Sequence, residues 1–328
     1  MRLPLPEKSL IDRIRGQVKP SRNRGTVSVG IGDDAAVLTC PAGSEMLLTT
    51  DFSLEGVHFR REWHPPESVG HRCLTRGLSD IAAMGADPVA AFLSLALPPD
   101  LPQSWVDRFF SGLLRLAKQF NVQLAGGDTA GSPAGVLADI VVVGQVPAGK
   151  ALLRSGARPG DSLYVTGELG RSSWTLHLLR EGGLGALGSK VRPRDTAHAP
   201  HFYPQPRIKA GQWLREHGLA TAAIDVSDGL STDLGHICDE SGVGALVYEP
   251  SVPRPSGLPT SSLHYALHGG EDYELLFTAP RSQPIPSRIA GVRITRIGEI
   301  IRGKDMWLVD SHGQRKPLLP RGWEHFAP

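Results

Sequence analysis

Six short stretches place carboxylates beside glycine, serine or threonine, most of them where an apolar run stops. They are "GIGDDA" with Asp33 and Asp34, "TTD" with Thr49, Thr50 and Asp51, "GLSD" with Asp80, "GGDT" with Asp128, "DVSDGL" with Asp225 and Asp228, and "GGED" with Glu271 and Asp272. Taken singly, each has a plain structural reading: a Gly-Asp pair makes a turn, "DVSDGL" caps the helix after it, and Asp80 is a solvated helix residue. Together they raise a different chemistry. Carboxylates close together in a site of reduced dielectric repel strongly and stay ionised only with cations between them. Oxygen donors without cysteine or paired histidine select Mg²⁺ or a similar hard ion. Mg²⁺ takes few protein carboxylates and completes its shell with water and phosphate oxygens. The acids therefore point to a phosphate-bearing substrate, a nucleotide first of all. Thr49 and Thr50 can add hydroxyl or carbonyl ligands.

Other phosphate-handling motifs are missing. "GQVPAGKA" (Gly144 to Ala151) has the glycine and lysine spacing of a P-loop, but Ala151 stands where Ser or Thr should hold the metal. No protein-kinase motif set and no G-x-S-x-G elbow is present. Phosphates must instead meet metals, the amides of glycine turns such as Gly126 and Gly127, and Arg154 in "RSGARPGD". Arg154 reads equally well as a surface charge of a linker.

The elements that must position these groups alternate along the chain. "EMLLTTD" reads as a strand, "PESVGHRCLTRGLSDIAAMGADP" as a helix carrying Asp80 one turn on from Arg76, and "VAAFLSLALP" as a strand. "SWVDRFFSGLLRLAKQFN" is an amphipathic helix with Ser104 as its cap, and "VQLAGGDTAG" and "GVLADIVVVGQV" complete a first α/β unit. "PAGKALLRSGARPGD" reads as a linker into a second unit. Helices are predicted near residues 171–181 and 207–217. "AAIDVSDGLSTDLGHICDESG" reads as strand, acidic turn and helix, and "RITRIGEIIRGKDMWLVD" as a hairpin-like pair. The fold class is α/β (α+β) in two domains, residues 1–147 and 148–328.

Composition excludes several classes. The 328 residues are 40% hydrophobic and 21% charged, with a formal net charge of +2 and no long basic run, which argues against a nucleic-acid binder. The 38 glycines and 27 prolines predict many tight turns. Cys40, Cys73 and Cys238 are far apart and fit neither zinc nor a disulfide framework. The opening "MRLPLPEKSLIDRI" lacks the apolar core of a signal peptide, and no apolar run approaches a membrane span. A soluble cytoplasmic protein without a membrane partner is expected.

In order, "VGIGDDAAVL", "LLTTD", "EGVHF", "GLSDIAAMGADP", "LAGGDT", "RSGARPGD", "HFYPQPR", "DVSDGL", "GGEDYELLF" and "RGWEHF" resemble thiamine-monophosphate kinase, of the aminoimidazole ribonucleotide synthetase superfamily. The resemblance runs from about residue 8 to the end. It implies transfer of the γ-phosphoryl group of ATP to thiamine monophosphate. It implies several Mg²⁺ ions on Asp34, Asp51, Asp80, Asp128 and Asp225, with Thr49 and Thr50 assisting and Asp228 on a further ion. ATP is expected at Gly127, Asp128, Arg154 and Ser227, with Phe110 as the aromatic near adenine, where a tyrosine is also usual. The thiamine end is expected at His58, Glu271 and Trp323. The implied fold has an N-terminal Mg/ATP-binding domain whose mixed sheet pairs across a homodimer into a barrel-like sheet. A C-terminal α/β domain completes the nucleotide and substrate cleft.

The chemistry agrees with the residues. The acceptor is a phosphate whose second pKa is about 6, so it is an anion at neutral pH and needs no general base. The task is to bring two anions into line and neutralise the transferring group, which clustered metal ions do. Three residues keep a second reading: His58 as a structural hydrogen bonder, Trp323 as an anchor of the tail, and Glu271 as a turn cap. Selenophosphate synthetase would need a reactive cysteine or selenocysteine near the N-terminus, and the hydrogenase maturation enzyme of this fold ends in cysteine; this chain ends "EHFAP". Another ATP-dependent enzyme of the superfamily, aminoimidazole ribonucleotide synthetase foremost, and a non-catalytic nucleotide-binding protein are the alternatives.

Overall fold

Alternation of side chains sets the first unit. In the computed structural model, which describes residues 5, 7–18, 26–31, 35–188, 197–257 and 262–324, residues 44–54 alternate between a covered and an open face. Thr49, Asp51 and Ser53 point one way. Leu48, Thr50 and Phe52 point the other, with Leu48 70% and Phe52 55% exposed. The chain divides into unit 1, residues 1–81 and 86–149, and unit 2, residues 82–85 and 150–328.

Unit 1 contains helix α1 (Glu7–Gln17), strands β1 (Val27–Val29), β2 (Val37–Leu38) and β3 (Ser44–Leu54), helix α2 (Pro66–Ala83), strand β4 (Asp87–Leu97), helix α3 (Gln103–Gln119), and strands β5 (Gln123–Gly131) and β6 (Leu137–Pro147). The last residues of α2 pass into unit 2. Four strands form a mixed sheet in the order β3-β6-β4-β5, with β4 and β5 parallel and the other pairs antiparallel. Both β3 and β5 are therefore edge strands.

Helix α2 covers one face of this sheet. Its Leu74, Leu78 and Ile81 recur at helical spacing and are at most 1% exposed, each contributing about 1.5–3 kcal/mol of burial. Close approach is made possible by glycine. A Cβ on Gly77 would lie 2.5 Å from Val142 Cγ2 and 3.4 Å from Thr49 Cγ2. Where α2 crosses α3, a Cβ on Gly70 would meet Phe109 O at 2.0 Å, and one on Gly112 would meet Glu67 O at 1.9 Å. Helix α3 starts without Ser104 as its cap. Pro102 occupies the N-cap position in extended conformation and makes no side-chain cap bond, so Ser104 lies inside the first turn.

Unit 2 follows with β7 (Ser162–Thr166), α4 (Arg171–Gly182), α5 (Ala199–Phe202), α6 (Ile208–Glu216), β8 (Ala222–Val226), α7 (Leu230–Ser241), β9 (Gly244–Tyr248), α8 (Leu263–His268), β10 (Glu274–Ala279), β11 (Arg288–Ile289), β12 (Val292–Ile301), β13 (Met306–Val309) and β14 (Arg315–Pro317). An eight-stranded sheet has the order β14-β13-β9-β12-β7-β10-β8, with β11 beside β12. The hairpin expected of β12 and β13 does not form. Both pair with β9, β12 antiparallel and β13 parallel, one on each side. A central buried strand offers two ladders, and the short β13 takes the second. The core of unit 2 gathers Leu163, Val165, Ile224, Val226, Leu234 and Ile237 under α7 and α8.

A buried ion pair ties this unit. Arg207, from "HFYPQPR", forms a two-pronged bond to Glu274 at the start of β10, with Nε at 2.6 Å from Oε2. Thr166 Oγ1 donates to the same carboxylate at 2.5 Å. Among the described residues no helix is long and apolar enough to cross a membrane.

Candidate functional site

Four groups of expected site residues can be placed from their own elements; Asp34, with Asp33, lies outside the described residues. The first group sits at the β3 edge of unit 1. Thr49 Oγ1 donates to Asp80 Oδ2, joining β3 to α2. Asp51 is on the same face two residues on, with its Oδ2 sequestered from solvent. On the open face, Thr50 Oγ1 donates to Asp139 Oδ1 at 2.8 Å. This edge thus shows carboxylate and hydroxyl oxygen on both faces. Beneath it, burial pushes the Cys73 thiol up to about 12, and the fields of Asp51 and Asp139 add to the effect, so Cys73 is no nucleophile.

Following β3 toward solvent, the chain turns at "EGVHF". His58 Nδ1 accepts the backbone N–H of Leu54 at 3.0 Å, and Arg72 Nη2 donates to the His58 carbonyl at 3.2 Å. Acceptance at Nδ1 leaves the proton of the neutral ring on Nε2, which makes that nitrogen a donor.

The second group lies at the other edge, on β5. Phe110, Gly126, Gly127 and Asp128 line a cavity of about 670 Å³, together with Phe92 and Ile31. That volume suits a small-molecule ligand. Gly127 holds φ +149, and a Cβ there would lie 1.9 Å from Leu93 O, so only glycine fits this approach of β5 to β4. Asp128 is exposed, and its Oδ1 accepts Thr129 N–H at 2.8 Å. Phe110 forms a wall from α3, only 3% exposed.

Within one chain, the two edges are not one crevice. Register places Asp51 across from Ile140, Leu93 and Gly127 in turn. Three inter-strand steps of about 4.8 Å separate the edges, roughly 14 Å along the sheet. Asp128 shares its row and face with Ser94 and Asp139 rather than with Asp51. The expected meeting of Asp51, Asp80 and Asp128 is therefore not made by a single four-stranded sheet.

The third group is gathered round the β8–α7 turn of unit 2. Asp225 is the penultimate residue of β8 at 3% exposure, and Ser227 and Asp228 follow the strand. Glu271 N–H donates to Ser227 O at 2.7 Å, Tyr273 N–H to Val226 O at 2.9 Å, and Trp323 N–H to Asp228 O at 3.0 Å. Three separate motifs thus converge on one turn. Glu271 and Tyr273 hold φ of +66 and +52, left-handed values that non-glycine residues adopt at a cost and that cluster at functional loops.

Neighbouring acids do structural work. Asp233, on the first turn of α7, accepts the N–H of Gly229 at 3.0 Å and of Asp228 at 3.2 Å. Burial, then the nearby Asp225 and Asp228 carboxylates, push its pKa well above the ordinary range. Asp272 accepts Gly170 N–H at 2.7 Å and Ser172 N–H at 3.3 Å, capping α4 from outside the helix; burial raises its pKa to about 8. Asp139 and Asp233 escaped the sequence reading. An acid interrupting the apolar run "LADIVVV" was the available signal for Asp139, and an acid four residues after the turn glycine was the signal for Asp233.

Arg154 stands apart as the fourth case. Its carbonyl accepts Ser241 Oγ at 3.1 Å, at the C-terminal end of α7, while Ser227 and Asp228 precede the N-terminal end. The helix between spans 12 residues, about 18 Å.

Among the described residues, no three His, Cys, Asp or Glu side chains converge to hold a metal ion. The donor set still fits Mg²⁺, which uses one or two carboxylates and relies on phosphate and water for the rest. The Thr49–Asp80 and Thr50–Asp139 pairs are hard oxygen groups of that kind.

Comparison with known proteins bears on the family of the chain. Residues 32–146 match the N-terminal domain of AIR synthase related proteins, and residues 158–309 match the C-terminal domain. Thiamine-monophosphate kinase of Escherichia coli K12 is 39% identical over 336 residues, covering 98% of both chains. The crystal structure of thiamine-monophosphate kinase from Stenotrophomonas maltophilia K279a is 36% identical with a TM-score of 0.81, covering 94% of this chain and 97% of that one. AaThiL complexed with AMPPCP and TMP is 32% identical with a TM-score of 0.76, over 88% and 89%. Both halves match in order and identity persists along nearly the whole length, so the chain belongs to the thiamine-monophosphate kinase family.

Proposed function

We propose that this chain transfers the γ-phosphoryl group of ATP to thiamine monophosphate, giving thiamine diphosphate and ADP. The observation that carries the reading is the convergence of Ser227, Asp228, Glu271 and Trp323 on the β8–α7 turn. Support also comes from the relative complexed with AMPPCP and TMP. The β5 cavity, with Phe110 against the base and the amides about Gly127 toward phosphate, takes the nucleotide. Arg154 and Ser227 are the unit 2 residues proposed to bind ATP. His58, Glu271 and Trp323 meet the thiamine end of the acceptor.

Asp34, Thr49, Thr50, Asp51, Asp80, Asp128, Asp225 and Asp228 would hold Mg²⁺. Bound there, Mg²⁺ neutralises the phosphates and the charge that develops in transfer. The residues of the chain align and hold the two anions. No side chain serves as general base, because the acceptor oxygen is already deprotonated near neutral pH.

A homodimer resolves the separation of the two edges. Leu48 and Phe52 leave an apolar strip on β3, and β5 is exposed from Gly127 to Gly131 apart from Thr129. If β3 of one copy pairs beside β5 of the other, twice about a two-fold axis, the two sheets close and each site draws its β3 and β5 acids from different copies. An ATP-consuming enzyme of this kind works in the cytoplasm. The test is a coupled ADP-release assay with thiamine monophosphate and with the substrate of aminoimidazole ribonucleotide synthetase. ADP and thiamine diphosphate from the first alone support the reading; release only with the second, or binding without turnover, refutes it.

A further inference from the structure

Beyond Leu318, whose N–H donates to Met306 O at 2.9 Å, the irregular segment after β14 must find other acceptors for its backbone N–H groups. Residues 321–323 find three in succession at one place. Arg321 N–H donates to Ser231 Oγ at 3.3 Å, Gly322 N–H to Thr232 Oγ1 at 3.0 Å, and Trp323 N–H to Asp228 O at 3.0 Å. All three acceptors belong to the β8–α7 turn or the first turn of α7. Leu318, 4% exposed, anchors the near end of the segment in the core.

The contact is also sterically tight. A Cβ on Gly322 would lie 2.1 Å from Asp228 O and 2.6 Å from Thr232 Oγ1. No side chain fits, so the segment lies flat on the helix start. Ser231 Oγ is shared with His268 Nδ1 at 2.8 Å, which leaves Thr232 as the hydroxyl given to this strap without a competing side chain among the described bonds. Trp323, at the end of the strap, remains 47% exposed.

We infer that Thr232 is a positioning residue for the thiamine ring. Its hydroxyl fixes Gly322, and Gly322 fixes the plane in which Trp323 meets the substrate. The strap thereby ties the Asp228 loop to the aromatic that would face the ring. The inference rests on the reading that Trp323 contacts thiamine monophosphate.

The experiment is steady-state kinetics on the full chain for Thr232→Val, Thr232→Ser, Trp323→Ala and the double variant Thr232→Val with Trp323→Ala, with melting temperatures alongside. Thr232→Val keeps the shape of the side chain and removes the acceptor. It should raise KM for thiamine monophosphate about tenfold, the order of one lost hydrogen bond, and leave KM for ATP and kcat within about twofold. Thr232→Ser should restore the wild-type KM. In the Trp323→Ala background the Thr232 substitution should add nothing. If Trp323→Ala raises that KM while Thr232→Val leaves it unchanged, the inference falls and the reading of Trp323 stands. Equal shifts in both KM values with a lowered melting temperature would mark Thr232 as merely structural. If Trp323→Ala itself leaves KM unchanged, the underlying reading fails and the inference with it.

Discussion

The acids at the β3 edge and those at the β8–α7 turn look alike in sequence and differ in their surroundings. On β3, Thr49 and Thr50 donate hydroxyls to Asp80 and Asp139, so the carboxylates are held by side chains along an open edge. At the β8–α7 turn, Asp233 is 1% exposed and holds backbone N–H groups, while Asp225 and Asp228 crowd it with like charge. The first arrangement offers oxygen to a ligand. The second gives one acid a bracing role: Asp233 holds the turn, with the buried Asp225 and with Asp228 close by. Carboxylates in similar sequence settings thus take side-chain hydroxyls in one place and backbone amides in the other.

That contrast can be broken at several points. Asp80→Asn should have the largest effect, lowering kcat by about 10²–10³ because the charge that would balance Mg²⁺ and phosphate is gone. Circular dichroism and melting should stay near wild type, since Thr49 keeps an acceptor. Near-normal kcat would remove Asp80 from the site. Glu274→Gln acts on a brace instead. It strips the counter-charge from Arg207, whose side chain is 23% exposed, and should cost about 3 kcal/mol in denaturant unfolding. Specific activity of the folded fraction should change little; a large loss of kcat at unchanged stability would place Glu274 among the functional acids.

Trp323→Ala should raise KM for thiamine monophosphate about tenfold through lost stacking on a cationic ring, with KM for ATP steady. Equal effects on both would take Trp323 out of the substrate pocket. Asp272 bears on the pH dependence of stability and not on turnover. Its pKa is about 8 in the fold against 3.8 as the ordinary value, so the folded chain binds more protons than the unfolded one between those values. Stability from this group is present below about pH 4 and is lost as pH rises toward 8. Asp272→Asn should flatten that part of the stability profile while Gly170 N–H keeps an oxygen acceptor. An unchanged slope across this window would contradict the assignment of Asp272 as a buried, proton-holding cap.

Local features were legible where local physics decides them. The apolar period of α2 and the glycine-bounded turn at Gly229 could be read from spacing, whereas the strand read as ending at Asp51 runs on to Leu54. The β12–β13 hairpin could not, because β9 lies about 50 residues upstream and offers its two ladders through tertiary packing that no short pattern records. The Ser104 cap failed by two residues, since Pro102 with its fixed φ starts the helix earlier. Motif order carried the site further than periodicity did. It singled out Ser227, Asp228, Glu271 and Trp323, which the fold gathers at one turn, yet it could not show that β3 and β5 are opposite edges of one sheet.

The separation of those edges gives the most direct test. Asp80→Asn and Asp128→Asn chains, each inactive alone, can be co-expressed with different tags and purified as heterodimers. If each site joins the β3 edge of one copy to the β5 edge of the other, one site of the heterodimer carries both substitutions and its twin carries neither, and about half of the wild-type turnover returns. A heterodimer as inactive as its parents would show that Asp80 and Asp128 act within one chain, or not together at all.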